Sequence, residues 1–396
     1  MTAAWEVFAV FLRLGLTSFG GPVAHLGYFR EAFVARRRWL SEAAYADIVA
    51  LCQFLPGPAS SQVGMVVGLS RAGYAGALAA WVGFTLPSAV ALILFAIGLS
   101  HYGNAIPAGA LHGLKVAAVA VVAQAVWGMA RTLCPDAPRL TMMILTAVVV
   151  TVAPSPVWQV GAMVVAGLVG ARLFRTGEAV PHEPLSVPVS HGVALLCLCA
   201  FGALLVGLPI AARGSGDHTL ALFDAFYRAG ALVFGGGHVV LPLLQAAVVP
   251  SGWLDNDTFL AGYGAAQAVP GPLFTFAAFL GAANTMAPNG WAGGALCVLA
   301  IFAPSFLLVL GALPFWERLR RQSATRAALA GVNAAVVGLL LAALYHPVWT
   351  SAVLAPADFA LALLALIALA VWRLPPWAVV AACALAGWGL QVIGIA

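Results

Sequence analysis

Charge is what this chain has least of. Of 396 residues, 13 are acidic and 18 are Lys or Arg, so 8% are charged, against about 25% in a soluble domain. A soluble globular protein of this size is excluded, because its surface would need charge that is missing. The net charge of +5 is too small and too scattered for nucleic acid. Cysteine is also scarce. Cys52, Cys134, Cys197, Cys199, Cys297 and Cys383 lie mostly in apolar segments without metal-ligand spacing and read as small core hydrophobes. Even the Cys197/Cys199 pair lacks His or Cys partners. No His-Glu-x-x-His, Gly-x-Ser-x-Gly or Walker-type loop occurs, so nothing indicates a metallohydrolase, a serine hydrolase or an ATP-driven pump. No metal and no cofactor is implied. A cleavable signal peptide is not expected, since Glu6 and Arg13 fall inside the first apolar run, where a basic region should precede it.

What is abundant is apolar sequence. The chain is 63% hydrophobic with a mean hydropathy of +1.01, which predicts an all-α polytopic membrane protein. About 20 apolar residues span a bilayer as a helix. Candidate segments run over 5–29, 43–69, 74–100, 106–131, 139–153 and 155–173. A polar linker from Arg175 to Ser190 follows, then one extra segment, 191–212. The remainder lie at 220–246, 258–283, 291–316, 326–346, 353–372 and 375–395.

Two of these segments are broken where a membrane helix should be continuous. The first carries Phe19-Gly20-Gly21-Pro22-Val23-Ala24-His25, the second Gln53-Phe54-Leu55-Pro56-Gly57-Pro58. Gly frees the backbone, and Pro removes a donor. Irregular backbone at membrane depth is tolerated where it is packed in protein or lines a cavity. The pattern recurs. Arg13, Gly15 and Phe19 match Arg228, Gly230 and Phe234 at a spacing of 215, and Gln53 matches Gln267 at 214. The second copy reads Phe234-Gly235-Gly236-Gly237-His238 and Gln267-Ala268-Val269-Pro270-Gly271-Pro272. Leu86-Pro87-Ser88 resembles Ala303-Pro304-Ser305, and Gly113-Leu114-Lys115 resembles Gly331-Val332-Asn333. The expected division is a first repeat over 1–174, a linker with the extra segment over 175–219, and a second repeat over 220–396.

Charge placement predicts the orientation of the halves. Arg30, Arg36, Arg37 and Arg38 follow the first segment, whereas the equivalent loop, Val248 to Asp257, has no Lys or Arg and carries Asp255 and Asp257. Opposite signs at equivalent loops indicate inverted repeats. If 43–69 enters and returns, Arg71, Arg131, Arg139, Arg172 and Arg175 all fall inside, as do Arg318, Arg320, Arg321, Arg326 and Arg373. The broken segments are therefore expected to be hairpins dipping in from each side, the alternative being kinked helices that cross.

Candidate site residues cluster at the breaks. Arg13 and Arg228 offer donor forks suited to an oxyanion, and a half-turn axis is expected to bring both to one central site. The alternative is structural pairing with Glu6 or Asp224. Gly20, Gly21, Gly57, Gly235, Gly236 and Gly271, with Pro22, Pro56, Pro58, Pro270 and Pro272, restart helices whose free N–H ends favour anions. Gln53 and Gln267 either donate to the same anion or bond the freed carbonyls. Gln62 has no counterpart, since Phe276 stands there. His25, His238 and Lys115 are candidates for proton coupling, with a packed neutral His and a structural Lys pair as the bland alternatives.

Phe-Gly-Gly-Pro-x-Ala-His, Trp39-Leu40 and Gln53-x-Leu55-Pro56-Gly57-Pro58 together resemble the chromate ion transporter family. The second set of motifs is similar to the C-terminal half of its two-domain members. Val269 stands where the first copy has Leu55. The resemblance covers nearly the whole chain. It implies a multi-pass carrier of the bacterial inner membrane that exports chromate, built from two inverted halves and driven by the proton gradient. Its partners would be chromate or a sulfate-like oxyanion and the lipid bilayer, with homodimerisation left open. A sulfate-type importer or channel of the same architecture is one alternative. A lipid-modifying membrane enzyme is another, but it needs a nucleophile–base pair or metal cluster near the breaks, and neither is found.

Overall fold

The computed structural model describes residues 2–102, 106–153, 155–174 and 189–393. Among them there are helices and turns but no strand. Helix α1 (Ala3–Thr17) ends where Gly20 and Gly21 take φ of +98° and +77°, a region that a β-carbon disfavours. The chain reverses there. α2 (Gly21–Arg30), continued in π-helical form to Arg36, returns along α1. Phe29 and Phe33 pack on Phe11 at 5.5 and 5.1 Å, and Arg37 reaches Glu6 at 3.7 Å.

The second break behaves alike. α3 (Glu42–Phe54), capped by the Ser41 hydroxyl, meets α4 (Ala59–Tyr102) at Pro56-Gly57-Pro58, and α4 itself turns back at Ala72–Gly73. The Arg71 guanidinium lies 5.2 Å over Trp39, which precedes α3, and also bonds Glu6 at 3.4 Å. Both hairpins of the first half thus begin and end on one face.

The second half repeats this. After α5 (Ala108–Leu133), α6 (Ala137–Val152), α7 (Pro156–Leu173) and the extra helix α8 (His191–Ser215) come α9 (His218–Leu232) and α10 (Val240–Val248). They fold back about Gly235 and Gly236, so that His218 and Trp253 meet at 5.1 Å. α11 (Asn256–Ala268) and α12 (Phe276–Ala282) fold back about Pro270-Gly271-Pro272. Phe259 packs on Phe276 at 5.2 Å, and the Thr285 N–H donates to the Trp253 carbonyl at 3.1 Å. The broken segments therefore fold back as hairpins, the form that the arginine distribution predicts.

The scaffold is completed by α13 (Gly290–Ala312), α14 (Trp316–Arg321), α15 (Ser323–Ala343), α16 (Thr350–Ala352), α17 (Pro356–Ala370) and α18 (Pro376–Val392). Among the described residues, five helices are long and apolar enough to cross a membrane: Ala59–Tyr102, Ala108–Leu133, His191–Ser215, Gly290–Phe315 and Ser323–Ala352. The halves are intertwined. α5 packs on α17 and α18, while its repeat mate α15 packs on α6 and α7. Glycines allow the close approach. Gly113 abuts the α18 backbone at Cys383, and Gly331 abuts α7 at Ala166.

Direction follows from named contacts. His112 and Gln124 on α5 meet Asp358 (2.8 Å) and the Leu369 carbonyl (3.1 Å) on α17, so α17 starts beside the start of α5. α15 leads into that point, since the segment 344–352 packs on α5. At the other end of α5, Leu133 lies with Asn333 and Val336 of α15 around Gly235. α15 thus runs antiparallel to α5. The repeat mates α5 and α15 point in opposite directions, as a half-turn axis perpendicular to them would require. Leu196 and Ile210 on α8, both exposed, belong to an apolar exterior suited to lipid.

Candidate functional site

The four hairpin tips meet. The Gly57 N–H donates to the Val233 carbonyl at 2.7 Å, and the Gly271 N–H donates to the Ser18 carbonyl at 2.9 Å. Gly57 and Gly271 are repeat mates, and so are Ser18 and Val233. Each bond is the half-turn image of the other, the self-complementary pattern of a two-fold interface. Proline makes this possible from both sides. It cannot continue the helix hydrogen bonding, so the chain leaves helical form and the following glycine amide is free to bond across. A β-carbon at Gly57 would lie 2.7 Å from Ser305 Oγ and from Gln62 Nε2, and one at Gly271 would lie 2.8 Å from Ser88 Oγ. Ser88 and Ser305 are again repeat mates. A β-carbon at Gly21 would lie 4.0 Å from His238 Nε2, and one at Gly237 would lie 3.5 Å from Pro22.

The polar groups at this centre divide into two classes. Some satisfy the broken backbone. Gln62 Nε2 donates to the Pro56 carbonyl and Thr275 Oγ1 to the Pro272 carbonyl, both at 2.7 Å. His25 Nε2 donates to the Ser18 carbonyl at 3.2 Å, which leaves Nδ1 as acceptor for the Ser60 hydroxyl at 3.4 Å. His238 Nδ1 is bonded to the Tyr263 hydroxyl at 2.9 Å. The other class has no partner: Ser18 Oγ, Ser61 Oγ, Gln62 Oε1, Thr85 Oγ1, Ser305 Oγ and Gln267 Nε2 are buried and unbonded. An unmade hydrogen bond of this kind costs about 1–3 kcal/mol, so a concentration of them at the tips marks a candidate site for a polar ligand. The hydroxyls and the Gln267 amide nitrogen supply donors against one acceptor, Gln62 Oε1, and none of these atoms is a carboxylate oxygen, which suits an anion.

The arginines stand apart from this centre and from each other. Arg13 lines a cleft of about 500 Å³ with Glu6, Thr17, Glu31, Arg36 and Arg37. Arg228 lines another, about 850 Å³, with Asp224, Arg213, Leu232 and Trp253. The two clefts share no lining residue. The expected convergence of both arginines on one point is therefore not what the fold produces. The inversion places them on opposite faces, each five residues before a tip. Arg228 forks onto Asp224 at 2.9 and 2.7 Å. Among the described residues the Arg13 guanidinium makes no hydrogen bond or ion pair, because Glu6 is taken by Arg37 and Arg71 and Glu31 by Arg36.

The remaining candidates are distributed as follows. Gln53 is exposed, and Gln62 and Thr275 take the carbonyl role considered for Gln53 and Gln267. Lys115 Nζ is paired with Asp257 at 3.0 Å, about 20 Å along α11 from the Pro270 break at 1.5 Å per residue. Ser18, Thr85, Ser88, Gln62 and Ser305 are central yet were not candidates. The recurrence of Pro-Ser at Ser88 and Ser305 was the available signal. Among the described residues no group of three or more His, Cys, Asp or Glu side chains is placed to hold a metal ion.

Comparison with known proteins agrees with this architecture. A family model described as "chromate transporter" matches residues 5–171 and again 220–388. A chromate transport protein of Pseudomonas aeruginosa is 29% identical over 343 residues, covering 85% of this chain and 79% of that protein. One of Cupriavidus metallidurans is 26% identical over 374 residues, covering 92% and 86%. An uncharacterized transporter of Methanocaldococcus jannaschii is 25% identical over 347 residues, covering 86% and 83%. No solved structure matches the chain. With both halves matched in order, and each match ending within the helices that build one repeat, the chain belongs to the chromate transporter family.

Proposed function

We propose that this protein is a secondary transporter that exports chromate, or a tetrahedral oxyanion of the same shape, from the cytoplasm across the inner membrane. On this reading residues 1–174 and 220–396 are the two transporter repeats, and 175–219 joins them. The names of the relatives support the substrate. The observation that carries the mechanism is the pair of mutually bonded tips, flanked by unpartnered donors and by two arginine-bearing clefts on opposite faces.

A dianion leaving water needs compensating charge. An arginine fork in either cleft meets it first. The centre then offers hydroxyl donors and the N-terminal ends of α2 and α4, both of which start at tips. Passage requires the two tip bonds to part, one facing each side. His25 and His238 are the titratable groups nearest the tips, and so the candidates for proton coupling. No covalent step is involved. The test is uptake of labelled chromate into inverted membrane vesicles, with and without an interior acid pH, and with sulfate as competitor. Uptake that rises with interior acidity and falls with sulfate is expected. No uptake would overturn the reading, and uptake indifferent to pH would remove the coupling. Faster uptake into right-side-out vesicles would indicate an importer.

A further inference from the structure

Among the charged groups that differ between the two arginine clefts, Asp224 is the one bonded to the repeat-related arginine itself. It lies four residues before Arg228 on α9, buried, with both carboxylate oxygens on the half-exposed guanidinium. The same step back from Arg13 on α1 reaches Ala9, which also lines its cleft. The acids of the α1 cleft are held by other arginines: Glu31 by Arg36 at 2.7 Å, and Glu6 by Arg37 and Arg71 at 3.7 and 3.4 Å. The α1 cleft therefore presents an unoccupied guanidinium one and a half turns from the tip. The α9 cleft presents one whose fork is already filled by a carboxylate. Arg213, in the last turn of α8, lines the same cleft.

We propose that Asp224 is an internal stand-in for the transported oxyanion, and that it makes the α9 cleft the releasing side of the cycle. The inference rests on the oxyanion-transport reading above. A carboxylate and a tetrahedral oxyanion compete for the same two N–H directions of an arginine. When the anion arrives from the centre, Asp224 restores its own bidentate pair and displaces it. At the α1 cleft Glu6 and Glu31 are held by Arg36, Arg37 and Arg71 and neither is on Arg13, so capture there is tighter. Binding affinity differs between the two faces even though the framework is two-fold symmetric.

The experiment exchanges the two residues. The full chain is reconstituted in liposomes, and half-saturating chromate is measured separately at each face by exchange against internal chromate. For the wild type, the α9 face should need about tenfold more chromate than the α1 face, about 1.4 kcal/mol. Asp224→Asn and Asp224→Ala should lower the α9-face value by about that factor and leave the α1-face value in place. Ala9→Asp removes no native pair. It should raise the α1-face value and leave the α9 face alone. An Asp224→Asn protein with an unchanged α9-face value, or with both faces shifted equally, overturns the proposal. If both Asp224 variants fail to fold, an unchanged α1-face value in Ala9→Asp overturns it alone. If the wild-type protein exchanges no chromate, the transport reading falls and the proposal with it, a result distinct from exchange with symmetric faces.

Discussion

Replacing Gly57 by alanine probes the tip contact most directly. Gly57 has φ +119°, and holding a residue with a β-carbon there costs about 1–3 kcal/mol. The added carbon would lie 2.7 Å from Gln62 Nε2 and from Ser305 Oγ, inside van der Waals contact. Gln62 is the softer neighbour. If it swings away, the Pro56 carbonyl loses its partner, about 1–3 kcal/mol more. The sum, about 2–6 kcal/mol, falls on the backbone amide that donates to Val233. Gly73 supplies the control: its φ is +61° and a β-carbon there meets open space, so Gly73→Ala carries strain alone. At matched membrane levels, chromate uptake by Gly57→Ala should fall more than about thirtyfold, since each 1.4 kcal/mol is a factor of ten. Gly271→Ala should behave alike, and Gly73→Ala, which carries the strain without the contact, should lose less uptake than either. Thermal unfolding in detergent separates a stability loss from a transport loss. Wild-type uptake and unchanged unfolding for Gly57→Ala would refute the reasoning, because the tips would then be neither crowded nor functional.

Arg13→Ala and Arg228→Ala should each nearly abolish chromate export, with Lys at either position weakening it by loss of the fork. Because the two line separate clefts, their free-energy losses should add in the double mutant, which chromate transport by the three variants measures. Ser305→Ala removes a buried hydroxyl that has no partner. Its unfolding temperature should hold or rise while uptake falls, and a matched loss of both would make Ser305 structural. Cysteine accessibility should place positions 36–38 on the cytoplasmic side and 251–257 on the opposite side, and labelling of both from one side would remove the inversion from the membrane. Sulfate should inhibit chromate movement more than phosphate does, since sulfate is an unprotonated tetrahedral dianion like chromate, whereas phosphate carries a proton into a centre whose unpartnered atoms are mostly donors. Equal inhibition by chloride would indicate an unselective path.

Much of this fold is readable from residue order because its key features are local. Gly-Gly and Pro-Gly-Pro break a helix wherever they occur, and arginines crowd one side of a membrane, so the hairpins follow from 43–69 and the Arg71-to-Arg175 set, and the expected inversion from the opposite charge of the loops at 30–38 and 248–257. The centre is not local. Serine in an apolar helix usually bonds its own preceding turn, as Ser88 does to the Thr85 carbonyl at 3.1 Å. Nothing in the string distinguishes it from Ser305, whose hydroxyl is unbonded. The separation of Arg13 from Arg228 was hidden for a different reason. Equivalence under a half-turn says that two side chains are related by the axis, not how far from it they lie. Asp224 was visible as a neighbour of Arg228, but its effect depends on Ala9, seen only when the clefts are compared.

The interlocked packing of α5 has a consequence for biosynthesis. Its Gly109 N–H is bonded to Gln391 Oε1 at 2.6 Å, 282 positions downstream. At about 5–20 residues per second of synthesis, α5 waits roughly 15 to 55 s in the bilayer before α18 exists. During that interval its glycine face has no native neighbour, and a newly made α18 of another chain, not yet packed on its own α5, carries the matching surface. Crowded insertion therefore favours helix exchange between molecules, and slowing translation of residues 174–376 should increase crosslinked dimers joined through α5 and α18.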